Sequence, residues 1–129
     1  MTKTTHLGEL QLAIMQVLWD LGEATVTDVH QALVEERGLA PTTIATMLKK
    51  MEDKGVVAHR AEGRKFIYRP TVSRDQVKRG MVSDLTERLF GGDPVALVAH
   101  LLSRSEIRAE ELSELERMIA EAKKKEGKR

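Results

Sequence analysis

The chain has 129 residues, 41% of them apolar and only 3% aromatic, which is enough for one real core packed mainly by Leu, Val, Ile and Met. Lys plus Arg totals 21 and Asp plus Glu 20; the resulting net charge of +1 excludes a generally adhesive polycation, and the absence of cysteine removes disulfides, thiolate metal sites and thiol redox sensing together. The opening MTKTTHLGELQ lacks an apolar signal-like segment and no apolar run approaches the ~18 residues that span a bilayer, so a cytoplasmic protein without membrane insertion is expected.

Leu7, Leu10, Ile14, Val17, Leu18 and Leu21 keep helical spacing and the run stops at Gly22, which predicts a first helix. Thr25 or Thr27 caps a second, with Asp28 in its first turn, where a carboxylate meets the positive end of the helix dipole. Val29, Ala32 and Leu33 form its buried stripe and Gly38 ends it. Pro41, with its fixed φ and missing amide hydrogen, suits the first position of a third helix within LAPTTIATMLKKMEDKG, Leu39 to Gly55. Here Ile44, Met47, Leu48 and Met51 recur at i, i+3, i+4 and i+7 and face a core. Thr42, Thr43, Thr46, Lys49 and Lys50 point the other way, with no carboxylate before Glu52. Methyls, hydroxyls and ammoniums on one face suit the DNA major groove; the plain alternative is a solvated helix face.

Val56 to Arg60 and Lys65 to Arg69 read as a hairpin, with Ala61, Glu62, Gly63 and Arg64 between the strands and Pro70 ending the second. Phe66 and Tyr68 share one face and are expected to pack on the first and third helices, which leaves Lys65 and Arg69 on the other. With Arg60 and Arg64 they make a basic wing suited to phosphates. Three helices and a charged two-stranded wing describe a winged helix-turn-helix, a motif that lays its third helix in the major groove. From Leu39 to Arg69 seven cations face three anions, a local charge of +4 that supplies salt-dependent attraction to phosphate.

From Ser73 onward the pattern changes to one of association. Val77, Met81, Leu85 and Leu89 repeat at i+4 along a helix that stops at Gly91 and Gly92. Asp93 caps the next helix, which starts at Pro94 and is apolar around much of its circumference through Val95, Leu97, Val98, Leu101 and Leu102, so it is expected to be deeply buried. A charged helix over Ala109 to Lys123 carries a short seam of Leu112, Leu115, Ile119 and Ala122. Three short helices cannot enclose these faces in one chain. The simplest cover is the same region of a second copy, a homodimer, with folding back onto the first domain as the monomeric alternative. The expected fold is mainly α, with some β: residues 1–72 a winged-helix DNA-binding domain and 73–129 a three-helix dimerisation domain.

Catalysis finds no support in this pattern. His6, His30, His59 and His100 are isolated, no HExxH or carboxylate–histidine spacing assembles a metal site, and Gly91 and Gly92 beside Asp93 make a helix break rather than a phosphate loop. No Ser sits in a nucleophile context, so neither cofactor nor metal is expected. A winged-helix module that binds protein instead of DNA is the competing class, and the salt dependence of duplex binding separates the two.

Taken together, LGELQLAIMQVLWDLG, ATVTDVHQAL, APTTIATMLKKMEDKGVV, KFIYRP and LFGGDPVALVAHLL, in this order and over nearly the whole chain, resemble the BlaI/MecI family of bacterial transcriptional repressors, the penicillinase and methicillin-resistance repressors, to which the copper-responsive CopY repressors also belong. The resemblance implies a homodimeric repressor on a palindromic double-stranded DNA operator. It places Thr42, Thr43, Thr46, Lys49 and Lys50 in the major groove and Arg60, Arg64 and Lys65 on the adjoining backbone. Threonine methyls suit thymine methyls, and each lysine serves guanine or phosphate. Val77, Met81, Leu85, Leu89, Val98, Leu101, Leu102, Leu112, Leu115 and Ile119 would hold the dimer.

Family repressors of β-lactam resistance answer to a membrane metalloprotease sensor and are cleaved at an Asn–Phe bond in the segment matching VAHLLSR. Here those positions are His100 and Leu101, which keep the apolar second partner and lose the asparagine. The cysteine cluster of the copper-responsive members is absent. The tail, Lys123, Lys124, Lys125, Lys128 and Arg129, reads either as a solvated end or as an extra nonspecific DNA contact.

Overall fold

The computed structural model describes residues 7–104 and 107–127; His6, Lys128 and Arg129, which figure in the sequence reading, lie outside them. The elements in chain order are α1 (Glu9–Leu21), β1 (Ala24–Thr25), α2 (Val26–Arg37), α3 (Pro41–Lys54), β2 (Val57–Glu62), β3 (Lys65–Pro70), α4 (Arg74–Phe90), α5 (Pro94–Ser103) and α6 (Ala109–Gly127). They form two compact units, Met1–Asp84 and Leu85–Arg129, with the boundary inside α4.

The first unit is a winged helix. Of the two candidate caps for α2, Thr25 is the one used: its hydroxyl accepts from the Asp28 N–H at 3.1 Å while its own N–H donates to the Asp28 carboxylate at 3.0 Å. A cap residue has extended backbone, and that extension explains a strand the periodicity did not announce. Ala24 and Thr25 pair with Tyr68 and Ile67, so the sheet has three antiparallel strands in the order β1-β3-β2 rather than two. Two residues are too few to carry an alternating pattern.

The hairpin is also tighter than expected. Pairing runs from Val57 with Pro70 to Glu62 with Lys65, which leaves a loop of Gly63 and Arg64, and Gly63 takes the φ of +64° that a side chain would resist. Val57, His59, Ala61, Phe66 and Tyr68 share one sheet face, and Arg60, Lys65, Ile67 and Arg69 the other. Of the two aromatics expected in the core only Tyr68 is buried. Phe66 is 50% exposed, because burial along β2 and β3 fades toward the tip of the hairpin.

The core gathers Ile14, Met15 and Leu18 from α1, Val29 and Leu33 from α2, Ile44, Leu48 and Met51 from α3, and Val56, Val57 and Tyr68 from the wing. It extends into α4. Val77 is 2% exposed within this core and Met81 packs against it, so the compact unit runs beyond residue 72. Side-chain links secure the start of α4 to α1: the Trp19 indole N–H donates to the Val72 carbonyl at 2.9 Å, and Arg74 lies 5.2 Å from the Trp19 ring while bonding Asp20 at 3.0 Å. The Val77 and Met81 positions of the i+4 stripe therefore serve the first unit from within.

In the second unit the Asp93 carboxylate caps α5, accepting from the Val95 and Ala96 N–H groups at 2.9 and 3.3 Å. Gly91 and Gly92 end α4, the Gly92 N–H donating to the Thr86 carbonyl at 2.9 Å. Neither α5 nor α6 has a buried residue. The deep burial expected of α5 is thus not found within one chain. Val95, Val98, Leu101 and Leu102 of α5 are exposed to water.

Candidate nucleic-acid interface

Helix α3 is divided cleanly by its own periodicity. Ile44, Leu48 and Met51 are fully buried, and the helix therefore cannot roll without exposing them. That orientation puts Thr42, Thr43, Thr46, Lys49 and Lys50 on the exposed side. Pro41 occupies the first turn, and Gly55 closes the helix in the left-handed conformation and turns the chain into the wing.

A shallow hollow on the exposed side is lined by Ala45, Thr46, Lys49, Lys50 and Asp53. The carboxylate on this face is Asp53, one turn beyond Lys49, and not Glu52. The Glu52 side chain turns instead to the wing, where both of its oxygens lie 2.7 and 2.9 Å from the Nδ1 atom of His59. His59 is thus not the isolated histidine its surroundings in sequence suggested. Its ring also stacks on Phe66 with centroids 4.2 Å apart and 25° between planes.

The cations differ in how they are held. Lys54 leaves the surface, its ammonium donating to the Gln11 side-chain oxygen at 2.8 Å. Arg60 extends from the wing to Glu23 at 3.0 Å, with Glu62 at 4.0 Å, so a phosphate reaching this guanidinium must compete with a carboxylate. Arg64 and Lys65 are exposed at the tip and line a groove with Thr25, Val26, Thr27 and Phe66, beside the start of α2. Arg69 is exposed on the strand face that also carries Lys65. Bonds from the Thr25 N–H and its hydroxyl hold the Asp28 carboxyl below the usual carboxylate range, helped by the Lys65 charge. Burial, with a smaller push from Glu52, raises the Tyr68 phenol above its ordinary value and keeps it neutral.

Sequence spacing brought together the five residues of α3 and the two at the wing tip. It missed the partner of Arg60: Glu23 lies 37 positions away and shares no local signal with it.

The residues assigned to dimerisation divide in the same way. Val77 and Met81 belong to the first core, whereas Leu85, Leu89, Val98, Leu101, Leu102, Leu112 and Ile119 are exposed and Leu115 half-buried. The His100–Leu101 bond lies inside α5, and the His100 carbonyl accepts from the Arg104 N–H and the Ser103 hydroxyl. A protease would have to unwind that turn to reach it. Among the described residues no cluster of His, Asp or Glu is arranged to hold a metal ion, and no helix is long and apolar enough to cross a membrane.

This arrangement of helices and wing has clear relatives. Residues 7–121 match the penicillinase repressor family. The transcriptional regulator BlaI of Mycobacterium tuberculosis is 35% identical over 131 aligned positions, taking in 100% of this chain and 94% of that protein. The solution structure of the DNA-binding domain of the repressor BlaI is 31% identical and covers 57% of this chain and 90% of its own, with a TM-score of 0.51. The monomeric form of Bacillus licheniformis BlaI, solved in complex with the blaP half-operator, covers 58% of this chain and 92% of its own at 31% identity and a TM-score of 0.50. With a winged-helix fold and a family match that spans both compact units, the chain belongs to the penicillinase repressor family.

Proposed function

We infer that this DNA-binding transcriptional repressor works as a homodimer on a palindromic operator, each protomer laying α3 in the major groove of one half-site. The observation that carries the reading is the division of α3: a fully buried apolar stripe fixes the helix, and its opposite face offers Thr42, Thr43, Thr46, Lys49 and Lys50. Thr46, at the centre of that face, reads base edges and thymine methyls. Arg64 and Lys65 anchor the wing on phosphate, and Arg60 joins them when it leaves Glu23. The apolar residues exposed on α5 and α6, with Leu85 and Leu89, supply the contact between copies. The half-operator bound by the Bacillus licheniformis relative supports this assignment. Cleavage between His100 and Leu101 by a membrane metalloprotease sensor, as the family resemblance implies, would divide α5 and undo the dimer.

The test is a pair of substitutions measured on two duplexes, the operator recovered by selection from a random pool and a random-sequence control. Thr46→Ala is expected to weaken operator binding by about 1–3 kcal/mol while leaving the control nearly unchanged. Arg64→Ala is expected to weaken both equally and to lower the salt slope by about one. Equal behaviour of the two variants on both duplexes would remove the division between base reading and phosphate anchoring. A wing turned to a protein partner would show no preference for duplex at all.

A further inference from the structure

The histidine that leaves the sheet toward α3 has no part in the contacts assigned so far, yet three groups converge on it. His59 lies on β2, its Nδ1 within 2.7 and 2.9 Å of the two Glu52 oxygens on the last turns of α3. Its ring stacks on Phe66 of β3 at 4.2 Å, and Tyr68 follows at 5.3 Å. Phe66 directly follows Lys65 and stands two residues from Arg64. The His59 ring therefore links the end of the base-reading helix to the tip that carries the phosphate-anchoring cations.

We propose that His59 is a positioning residue for DNA binding, holding the wing at a set distance and angle from α3 and drawing the Glu52 carboxylate off the DNA-facing side. The proposal rests on the assignment of α3 and the wing as DNA contacts. Its physical basis is that Glu52 and Phe66, unlike Tyr68, are not core material. Phe66 is 50% exposed, and the side chains of His59 and Glu52 retain 29% and 34% of their exposure, so their packing adds little to the stability of the fold. What the contacts do supply is orientation. β1 pairs with β3 only at Tyr68 and Ile67, and the Arg60–Glu23 pair lies at the same level, so from Phe66 to the tip, where burial fades, little besides these contacts restrains the hairpin, and a phosphate contact misplaced by an ångström is lost. Glu52 would otherwise add a second carboxylate beside Asp53, opposite phosphate.

The experiment measures binding of the full chain to a labelled random-sequence duplex as a function of salt, for His59→Ala, Arg64→Ala and Lys50→Ala singly and in pairs. His59→Ala is expected to lower affinity about fivefold and to reduce the salt slope by about one, as Arg64→Ala does. Arg64→Ala should then add less than about a twofold loss in the His59→Ala background, because a misplaced wing has no contact left to lose, while Lys50→Ala keeps its full effect. His59→Asn, which returns an N–H near the position of Nδ1, should recover part of the loss.

Glu52→Ala supplies a test of sign that stands even where His59→Ala does not fold. Removing an anion that merely neighbours DNA raises affinity, whereas removing the strut lowers it. A rise, or an Arg64→Ala loss that is the same in both backgrounds, overturns the role given to His59. Absence of salt-dependent duplex binding by the unaltered chain would instead remove the DNA reading on which it rests.

Discussion

The first compact unit closes on itself and the second does not. In the winged helix, side chains from four helices and the wing meet in one core, and residues such as Ile14, Leu18, Ile44 and Leu48 are wholly removed from water. In α5 and α6 no described side chain is buried, although α5 is the more apolar of the two; Val95 in α5 and Leu89 near the end of α4 stand 72% and 71% exposed. Apolar content therefore does not decide burial. A layer needs an opposing layer, and the second unit has too few residues to fold one over itself. The contrast is one of packing: the first unit holds its apolar side chains in a core, and the second leaves Val95, Val98, Leu101 and Leu102 exposed.

The sharpest way to break this comparison is to separate the units. A chain ending at Asp84 keeps Val77, Met81 and the Trp19 and Arg74 contacts, and is expected to unfold cooperatively as a monomer while operator affinity falls by about two orders of magnitude or more, read by sedimentation and fluorescence anisotropy. A chain ending at Thr71 lacks those contacts as well and should be less stable by about 2–4 kcal/mol. Equal operator affinity for the full chain and the Asp84 truncation would leave the second unit without its assigned task.

Single substitutions sharpen the same contrast. Leu48→Ala opens a cavity in a closed core and is expected to lower the stability of the first unit by about 2–5 kcal/mol in urea unfolding. Leu102→Ala should leave that transition in place and raise the dimer dissociation constant about tenfold instead.

The smallest effect lies at the cap of α2. Thr25→Ala is expected to destabilise the first unit by about 1 kcal/mol at neutral pH. Asp28 has a lowered carboxyl pKa in the folded state, so its contribution is present above the ordinary carboxylate range and is lost as pH falls through its folded value. The difference between Thr25→Ala and the unaltered chain should accordingly shrink on acidification, as followed by thermal melting.

How much of this was legible depended on how local the cause was. The buried stripe of α3, the Pro41 start and the Asp93 cap are set by neighbours a few positions apart, and each is found where the spacing placed it. The hairpin was visible but its loop length was not, since Ala61 and Glu62 have no strong preference until Phe66 and Lys65 pair with them. The α4 stripe shows the limit most clearly: Val77, Met81, Leu85 and Leu89 share one face, and nothing in their spacing told that two pack on the first core while two stay exposed. On the α3 face the chemical types could be read, but the departure of Glu52 toward His59 and of Lys54 toward Gln11 could not, because the partners lie on other elements.

The order of amino acids by itself determined the helices, the Pro41 start, the Asp93 cap and which side of each is apolar, because backbone hydrogen bonding and the 3.6-residue repeat act over one or two turns. Only the tertiary structure decided which charged side chains remain available to a polyanion, and where one compact unit ends and the next begins. Both depend on groups far apart in the chain that meet only after the core has formed.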